Sequence, residues 1–280
     1  MTKLTLLLKS PQPIVSDLCH RLFSFLPLSV FISEKDHMMH KTVVLIPTFN
    51  ESDSILTLIQ ELDRLNVDIT VIDDDSPDGT ADLINKSHFD RVSVINNGSK
   101  NGIGPAYLSG INQVISRGYE KIVTMDADGS HLVSDVEKLI LKSSDFDVVM
   151  GTRWMPGGQV FNWSINRQFL SKFGTWYARK CLALPFKDLT GGLRIYDVEF
   201  LKKIDLEAIR SNGYCFQIEM IKAIYSQGAT ISEMPIHFIE RRAGKSKMSS
   251  SIVIEAFLRV SWWALKRRFK PNADKLHYVK

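Results

Sequence analysis

Three short apolar runs in the first half of the chain each end in carboxylates or other polar groups, and this recurrence constrains the fold more than any other feature. Residues 42–46 run into Pro47-Thr48-Phe49-Asn50-Glu51. Residues 70–72 run into Asp73-Asp74-Asp75-Ser76-Pro77-Asp78-Gly79-Thr80, and residues 122–125 into Asp126-Ala127-Asp128-Gly129-Ser130-His131. Short apolar runs bounded by turn residues read as buried strands. Two carboxylates one residue apart at a strand end repel each other and lose hydration against the body of a domain. A divalent cation removes that cost. Hard oxygen ligands suit Mg2+ or Mn2+, completed by substrate phosphate and water. A solvated acidic turn would explain one such pair. Three strands that deliver polar groups at their C-terminal ends point instead to the ligand-binding edge of an open α/β sheet.

The intervening segments supply the helices of such a sheet. Ile55, Leu58, Ile59, Leu62 and Leu65 recur at helical spacing, with Ser52 or Asp53 as the expected N-cap. Further strands are expected at 68–72, 91–95, 121–125 and 146–150, and helices at 80–87, 104–117 and 133–142. This βαβα order predicts a mainly parallel sheet covered on both faces. Beyond Gly151-Thr152-Arg153 the pattern changes. Residues 162–184 form an amphipathic segment in which Trp163, Phe169, Phe173, Trp176 and Tyr177 interleave with Arg167, Lys172, Arg179 and Lys180. Residues 188–194 read as a glycine-containing connection, 216–226 as a helix, 230–234 as a strand and 240–248 as a basic loop.

The length of 280 residues, 44% hydrophobic and 24% charged, suits one large domain with extensions. A formal net charge of +4 fits an anionic ligand or a membrane surface and does not call for nucleic acid. Cys19, Cys181 and Cys215 show neither metal spacing nor a disulfide framework, which indicates a reducing compartment. No stretch reaches the roughly 18 to 20 apolar residues of a spanning helix. Residues 22–32 are broken by Pro27, and 252–265 by Glu255 and Arg259. The organisation expected is an extension over 1–40, disordered or anchoring, a catalytic domain over 41–250, and an amphipathic membrane-associating segment over 251–280.

A dinucleotide-binding fold needs GxGxxG at the first strand–helix turn, and that turn has no glycine. No GxxxxGK[ST] occurs either. Asn101-Gly102-Ile103-Gly104 follows the third strand and reads as a tight turn opening a helix.

Together the motifs at 47–51, 73–80, 101–107 (Asn-Gly-Ile-Gly-Pro-Ala-Tyr), 126–131 and 151–153 resemble glycosyltransferase family 2. Asp-Leu-Thr-Gly-Gly-Leu-Arg (188–194), Gly-Tyr-Cys-Phe-Gln-Ile-Glu-Met (213–220) and Arg-Ala-Gly-Lys-Ser-Lys-Met (242–248) are similar, more narrowly, to its dolichol- and polyprenol-phosphate mannosyltransferases. The resemblance covers about residues 41–250. It implies a GT-A fold, GDP-mannose as donor and a divalent metal. It also implies site roles. Pro47, Phe49 and Glu51 frame the nucleotide, and Ile72 and Asp74 contact base and ribose. Asp126, Ala127 and Asp128 form the metal and diphosphate site, with Asp126 and Asp128 the metal ligands and Asp128 the more direct. Arg153, Arg241 and Lys247 surround the sugar diphosphate and acceptor phosphate; with Asp128 they form the expected catalytic set. Two departures stand out. Asp75 occupies a place where glycine is common. Gly129 and Ser130 replace a bulkier or amide-bearing pair, which puts a side-chain ligand two residues past Asp128 in question.

The chemistry expected follows from charge. A lipid monophosphate acceptor is already anionic, so no general base is needed and His131 reads as a local hydrogen-bonding residue. In-line displacement would turn α-linked GDP-mannose into β-mannosyl phosphate. Glu219, on an apolar helix, would either hold an arginine of the site or reach solvent. Four cations among residues 241–247, spaced by glycine and serine, suit a mobile phosphate clamp better than a solvated loop. Ile254, Leu258, Trp262, Leu265 and Phe269 make one stripe, opposite Glu255, Arg259, Lys266 and Lys270. That pattern suits a helix in the interface of an anionic bilayer, with 162–184 as a second docking segment; a helix packed on the domain is the alternative. The expected enzyme is therefore peripheral on the cytoplasmic face of a membrane, with GDP-mannose, polyprenyl phosphate and the membrane surface as partners. An integral membrane subunit is a further compatible partner. The competing readings are a relative using UDP-glucose or another nucleotide sugar, and a non-catalytic subunit binding nucleotide sugar or lipid.

Overall fold

The computed structural model describes residues 28–240 and 250–269. The chain divides after His37, and the described residues from Met38 onward belong to one unit. Elements follow in the order α1 (Leu28–His40), β1 (Thr42–Thr48), α2 (Ile55–Asp63), β2 (Asp68–Asp73), α3 (Thr80–Lys86), β3 (Val92–Asn96), α4 (Ile103–Val114) and β4 (Lys121–Thr124). Then come α5 (Val133–Lys142), β5 (Val148–Thr152), β6 (Gln159–Phe161), α6 (Ile165–Leu182), β7 (Arg194–Asp197), α7 (Val198–Leu201), α8 (Gly213–Ser226), β8 (Ile231–Pro235), β9 (His237–Ile239) and α9 (Ser250–Phe269).

Seven strands form one sheet in the order β3-β2-β1-β4-β7-β5-β8. All neighbours are parallel except β7, which runs antiparallel to both β4 and β5. The central strands are apolar on both faces, as a covered parallel sheet requires. Val43 and Leu45 face a core shared with α4, α6 and α8, and Val44 and Ile46 face one shared with α2 and α5. This is the expected α/β architecture with a mostly parallel sheet. From β1 the chain moves outward to β2 and β3, then crosses back to β4 on the other side of β1. The reversal leaves a crevice beyond the C-terminal ends of β1 and β4, the usual ligand position in such sheets.

Three local expectations change. Helix α2 begins at Ile55 with Ser54 as its N-cap residue, one or two positions later than Ser52 or Asp53. Those two lie in a turn, and the Ser52 N–H donates to Asp78 Oδ2. The connection at 188–194 ends in the antiparallel strand β7, whose four residues are too few to show a period. Residues 159–161 and 237–239 form a separate two-stranded parallel pair. Its β9 is bonded to the loop after β4 through the Ile239 N–H to the Ser130 carbonyl.

Candidate active site

The loops after β1, β2 and β4 are laced together. Thr48 donates its hydroxyl to Asp73 Oδ1 at 2.8 Å, and the backbone N–H groups of Asn50, Glu51 and Ser52 donate to Ser76, Thr80 and Asp78. Ser54 Oγ donates to the Ala127 carbonyl at 3.2 Å. Asp73 also accepts from the Ser76 N–H and hydroxyl, so it shapes the turn after β2 as a local capping group. Asp75, in the place where glycine was expected, holds φ at 60°, a left-handed conformation that aspartate tolerates.

A cleft of about 440 Å3 opens at this edge. Pro47 and Glu51 line it from β1, and Asp126, Ala127 and Asp128 from β4. Sequence reasoning did not find Lys100, Asn101 and Gly102 on one wall, or Thr190, Gly192, Gln217 and Glu255 on the other. These come from loops and from α8 and α9; Asn101, Gly102, Thr190, Gly192 and Gln217 lie in motifs that carry the family resemblance without a site role assigned to them, whereas nothing local marks Lys100 or Glu255. Gly102 has φ of 92°, and a Cβ at Gly104 would sit 2.5 Å from the Ser211 carbonyl. Both glycines therefore meet steric demands where α4 begins beside the cleft.

The other expected site residues take different places. Phe49 is half-buried, with Lys100 Nζ 3.8 Å above its ring. Ile72 is fully buried, in contact distance of the α4 backbone at Gly110, and its side chain lies in the core. Asp74 is buried, and both its oxygens accept hydrogen bonds, from Asn97 Nδ2 and from the Asn101 and Gly102 N–H groups. It thereby fixes one wall of the cleft. His131 is buried edge-on to Phe238, with Nε2 3.5 Å from Asp126 Oδ2. Glu219 is also buried, which excludes the solvent reading, and its carboxylate accepts from the Arg210 and Ser211 N–H groups. Arg241 and Lys247 lie outside the described residues.

Arg153 lines a second, largely apolar cavity between α6 and α9, together with Arg167, Ser171, Tyr177, Phe257 and Val260. Arg153 binds Asp188 through Nε at 2.7 Å and Nη2 at 2.9 Å, and donates from Nη2 to Thr190 Oγ1 at 2.8 Å. Burial alone would raise the Asp188 carboxyl, but the Arg153 charge and the hydrogen bonds from Arg153 and Thr190 hold it below the usual carboxylate range. The planar guanidinium also lies 5.3 Å from the Trp163 ring, a stacked and bidentate setting that a lysine would not reproduce. Thr190 lines both cavities.

Among the described residues no cluster of three His, Cys, Asp or Glu side chains is placed to hold a metal. Asp126 and Asp128 nonetheless offer hard oxygen donors on one cleft wall, and Gly192 gives them space: a Cβ there would sit 3.2 Å from Asp126 Oδ1. Such a pair fits Mg2+ or Mn2+, which take one or two carboxylates and complete their shell with phosphate and water. Glu51 and Glu255 add to the negative charge, against Lys100 alone among the described lining residues. A diphosphate would need further cations to enter such a cleft.

Among the described residues no helix is long and apolar enough to cross a membrane. Among the described residues, apart from Leu141, Phe161 and Tyr225, every strongly exposed large apolar side chain lies on α6 or α9. On α9 these are Ile254, Leu258, Trp262, Leu265 and Phe269; on α6 they are Ile165, Phe169, Phe173 and Trp176. The two helices pack against each other through Phe257, which contacts Phe173 and Tyr177. The inner side of α9 is part of the body: Val260 is 2% exposed, and Lys222 of α8 sits over the Trp263 ring.

The profile of Glycosyl transferase family 2 matches residues 43–205. A polyprenol monophosphomannose synthase from Mycolicibacterium smegmatis is 41% identical over 234 residues, covering 81% of this chain and 88% of that protein. An undecaprenyl-phosphate mannosyltransferase from Micrococcus luteus is 40% identical over 234 residues, covering 82% of this chain and 96% of that protein. Among solved structures, mannosyl-3-phosphoglycerate synthase from Rubrobacter xylanophilus superposes with a TM-score of 0.62 over 89% of this chain and 80% of its own, at 17% identity. That likeness concerns the fold.

Proposed function

The chain belongs to glycosyltransferase family 2, and from that premise we propose that it transfers mannose from GDP-mannose to a polyprenyl phosphate with inversion at the anomeric carbon. The observation that carries this reading is the meeting of two unlike cavities at Thr190. One is the more polar and holds the paired aspartates; the other is almost wholly apolar, with Arg153 and Arg167 in its wall. A sugar nucleotide matches the first, and a lipid with an anionic head matches the second. Both relatives named above carry polyprenyl-type phosphates and mannose in their names.

The residues then divide the work. Asp74 holds the 97–102 wall, and Pro47 and Glu51 bound the cleft on the nucleotide side. Asp126 and Asp128 would hold Mg2+ or Mn2+, which when bound neutralises the departing diphosphate. Arg153, its charge balanced by Asp188, holds a guanidinium beside Thr190, and Arg167, ion-paired with Glu240 at 3.1 Å, is a second guanidinium that could turn to the acceptor phosphate. The phosphate oxygen is already a nucleophile, so the protein's task is to bring two anions into line rather than to remove a proton. Arg241 and Lys247, on the basic segment, are proposed to close over both.

Acceptor delivery requires a membrane surface. The exposed stripes of α6 and α9 adjoin the apolar cavity, and Lys266, Arg267 and Arg268 follow Trp262 and Trp263. This combination fits peripheral binding to an anionic bilayer on the cytoplasmic face, with the two stripes in the acyl boundary.

The test is turnover by purified protein with Mg2+, polyprenyl phosphate in anionic vesicles and labelled GDP-mannose, against UDP-glucose and other sugar nucleotides. Transfer of label to lipid from GDP-mannose in preference to the others is expected. Preference for UDP-glucose would replace the donor. Binding without turnover would favour a non-catalytic subunit.

A further inference from the structure

We propose that Gln217 is a specificity-determining residue that reads hydroxyl groups of the donor hexose. The proposal rests on the donor reading given above and deepens it. Gln217 stands in the second turn of α8, which begins at Gly213. Its backbone is clamped from both sides. Arg194, fully buried, donates from Nη1 to the Gln217 carbonyl at 2.7 Å, from Nε to the Gly191 carbonyl at 3.0 Å and from Nη2 to the Leu189 carbonyl at 3.0 Å. One guanidinium thus staples the segment before β7 to α8. On the preceding residue, the Phe216 ring stacks on Tyr107 at 5.9 Å with an interplanar angle of 14°.

The side chain held in this way lines the cleft and is 4% exposed, yet Oε1 has no hydrogen-bond partner among the described residues. A buried amide oxygen left unpaired is unfavourable, and such exceptions call for a reason. A ligand that brings hydroxyl donors supplies one. Glutamine carries an acceptor and a donor side by side, so a single amide can bridge two neighbouring hydroxyls of a sugar.

Its place in the fold selects the sugar over the nucleotide. The sheet order sets β4, with Asp126 and Asp128 at its end, between β1 and β7. Pro47 lies at the end of β1 and Glu51 follows it, whereas Gly192 leads into β7 and is tied to β4 by the Thr124 hydroxyl at 2.8 Å. Gln217 is stapled to the β7 side. It therefore lies across the paired aspartates from the β1 edge, where the sugar would follow the diphosphate.

The experiment compares the full-length wild type with Gln217→Met and Gln217→Glu. The donor is whichever sugar nucleotide the wild type turns over fastest, and its C2 epimer is the competitor. The affinity of the matching nucleoside diphosphate, without sugar, is the internal control. Both variants are expected to keep that affinity within about twofold. Their kcat/KM for the sugar nucleotide should fall by at least about fivefold, with discrimination between the epimers reduced, since a neutral hydrogen bond is worth that order in binding. Unchanged epimer discrimination in both variants would overturn the proposal. So would equal loss of nucleoside diphosphate and sugar-nucleotide binding, which would make Gln217 part of the cleft's framework. A preferred donor other than GDP-mannose would overturn only the donor reading and leave this comparison intact.

Discussion

Asp126 and Asp128 share a cleft with Glu51 and Glu255, so the site is acidic before any substrate arrives. Asp128→Asn removes charge without changing shape. It should leave the melting temperature nearly unchanged and lower turnover by about a hundredfold or more, the scale expected when a charge-stabilising group is lost. Full activity of the wild type in chelator would contradict the metal reading. The Arg153–Asp188 pair makes a different prediction. Asp188→Asn leaves a guanidinium buried and incompletely paired, which should cost about 3–5 kcal/mol in a denaturant titration. Because the folded carboxyl sits below its unfolded value of about 3.9, the pair's stabilisation is present above that pH and lost as pH falls through the folded value. The variant's stability should therefore vary less than the wild type's below about pH 4. At this scale the sequence picked out Glu51, Asp126 and Asp128, which line the cleft, but not Glu255. It did not show that Asp74 is fully engaged by Asn97, Asn101 and Gly102, because those bonds depend on how a loop returns to the sheet.

Helix α9 has two working faces, and its stripe of Ile254, Leu258, Trp262, Leu265 and Phe269 is exposed as periodicity predicted. The alternative of a helix packed on the domain holds for its inner side: Val260 is buried in the core and Glu255 lines the cleft at the sheet edge, while the outer stripe is exposed, as the proposed interfacial helix requires. Removing the chain after Ser249 should therefore weaken donor binding as well as liposome binding, which a purely peripheral anchor would not do. Exchanging Leu258 and Trp262 together for serine should spare donor affinity and lower liposome partitioning by about 10- to 100-fold, from partial loss of apolar burial. Co-sedimentation and nucleotide titration on the same preparations separate the two effects. Equal vesicle binding by the double variant would move the contact to α6. The inner face of Val253, Ala256, Phe257, Val260 and Trp263 also repeats at helical spacing, so periodicity alone did not say which apolar stripe meets the body.

Across the whole molecule, the part from β1 to β5 was far more legible than the part after it. From β1 to β5 each strand and helix is local, and its period states its face. From β6 onward the sheet is completed by an antiparallel strand of four residues, and the apolar cavity is assembled from helices about eighty residues apart. Arg167 and Ser171 are one turn apart on α6, but they meet Thr190 and Arg153 only through that packing, which no spacing rule shows. The proposed reaction is one in-line displacement at the anomeric carbon, by a lipid phosphate oxygen entering from the apolar cavity while the nucleoside diphosphate leaves along the aspartates. The configuration of the product tests this most directly. The mannosyl lipid made from GDP-mannose by the purified protein should give an anomeric carbon–hydrogen coupling by NMR that identifies β-mannosyl phosphate alone. An α-linked product, or a covalent mannosyl-protein intermediate preceding it, would contradict the account.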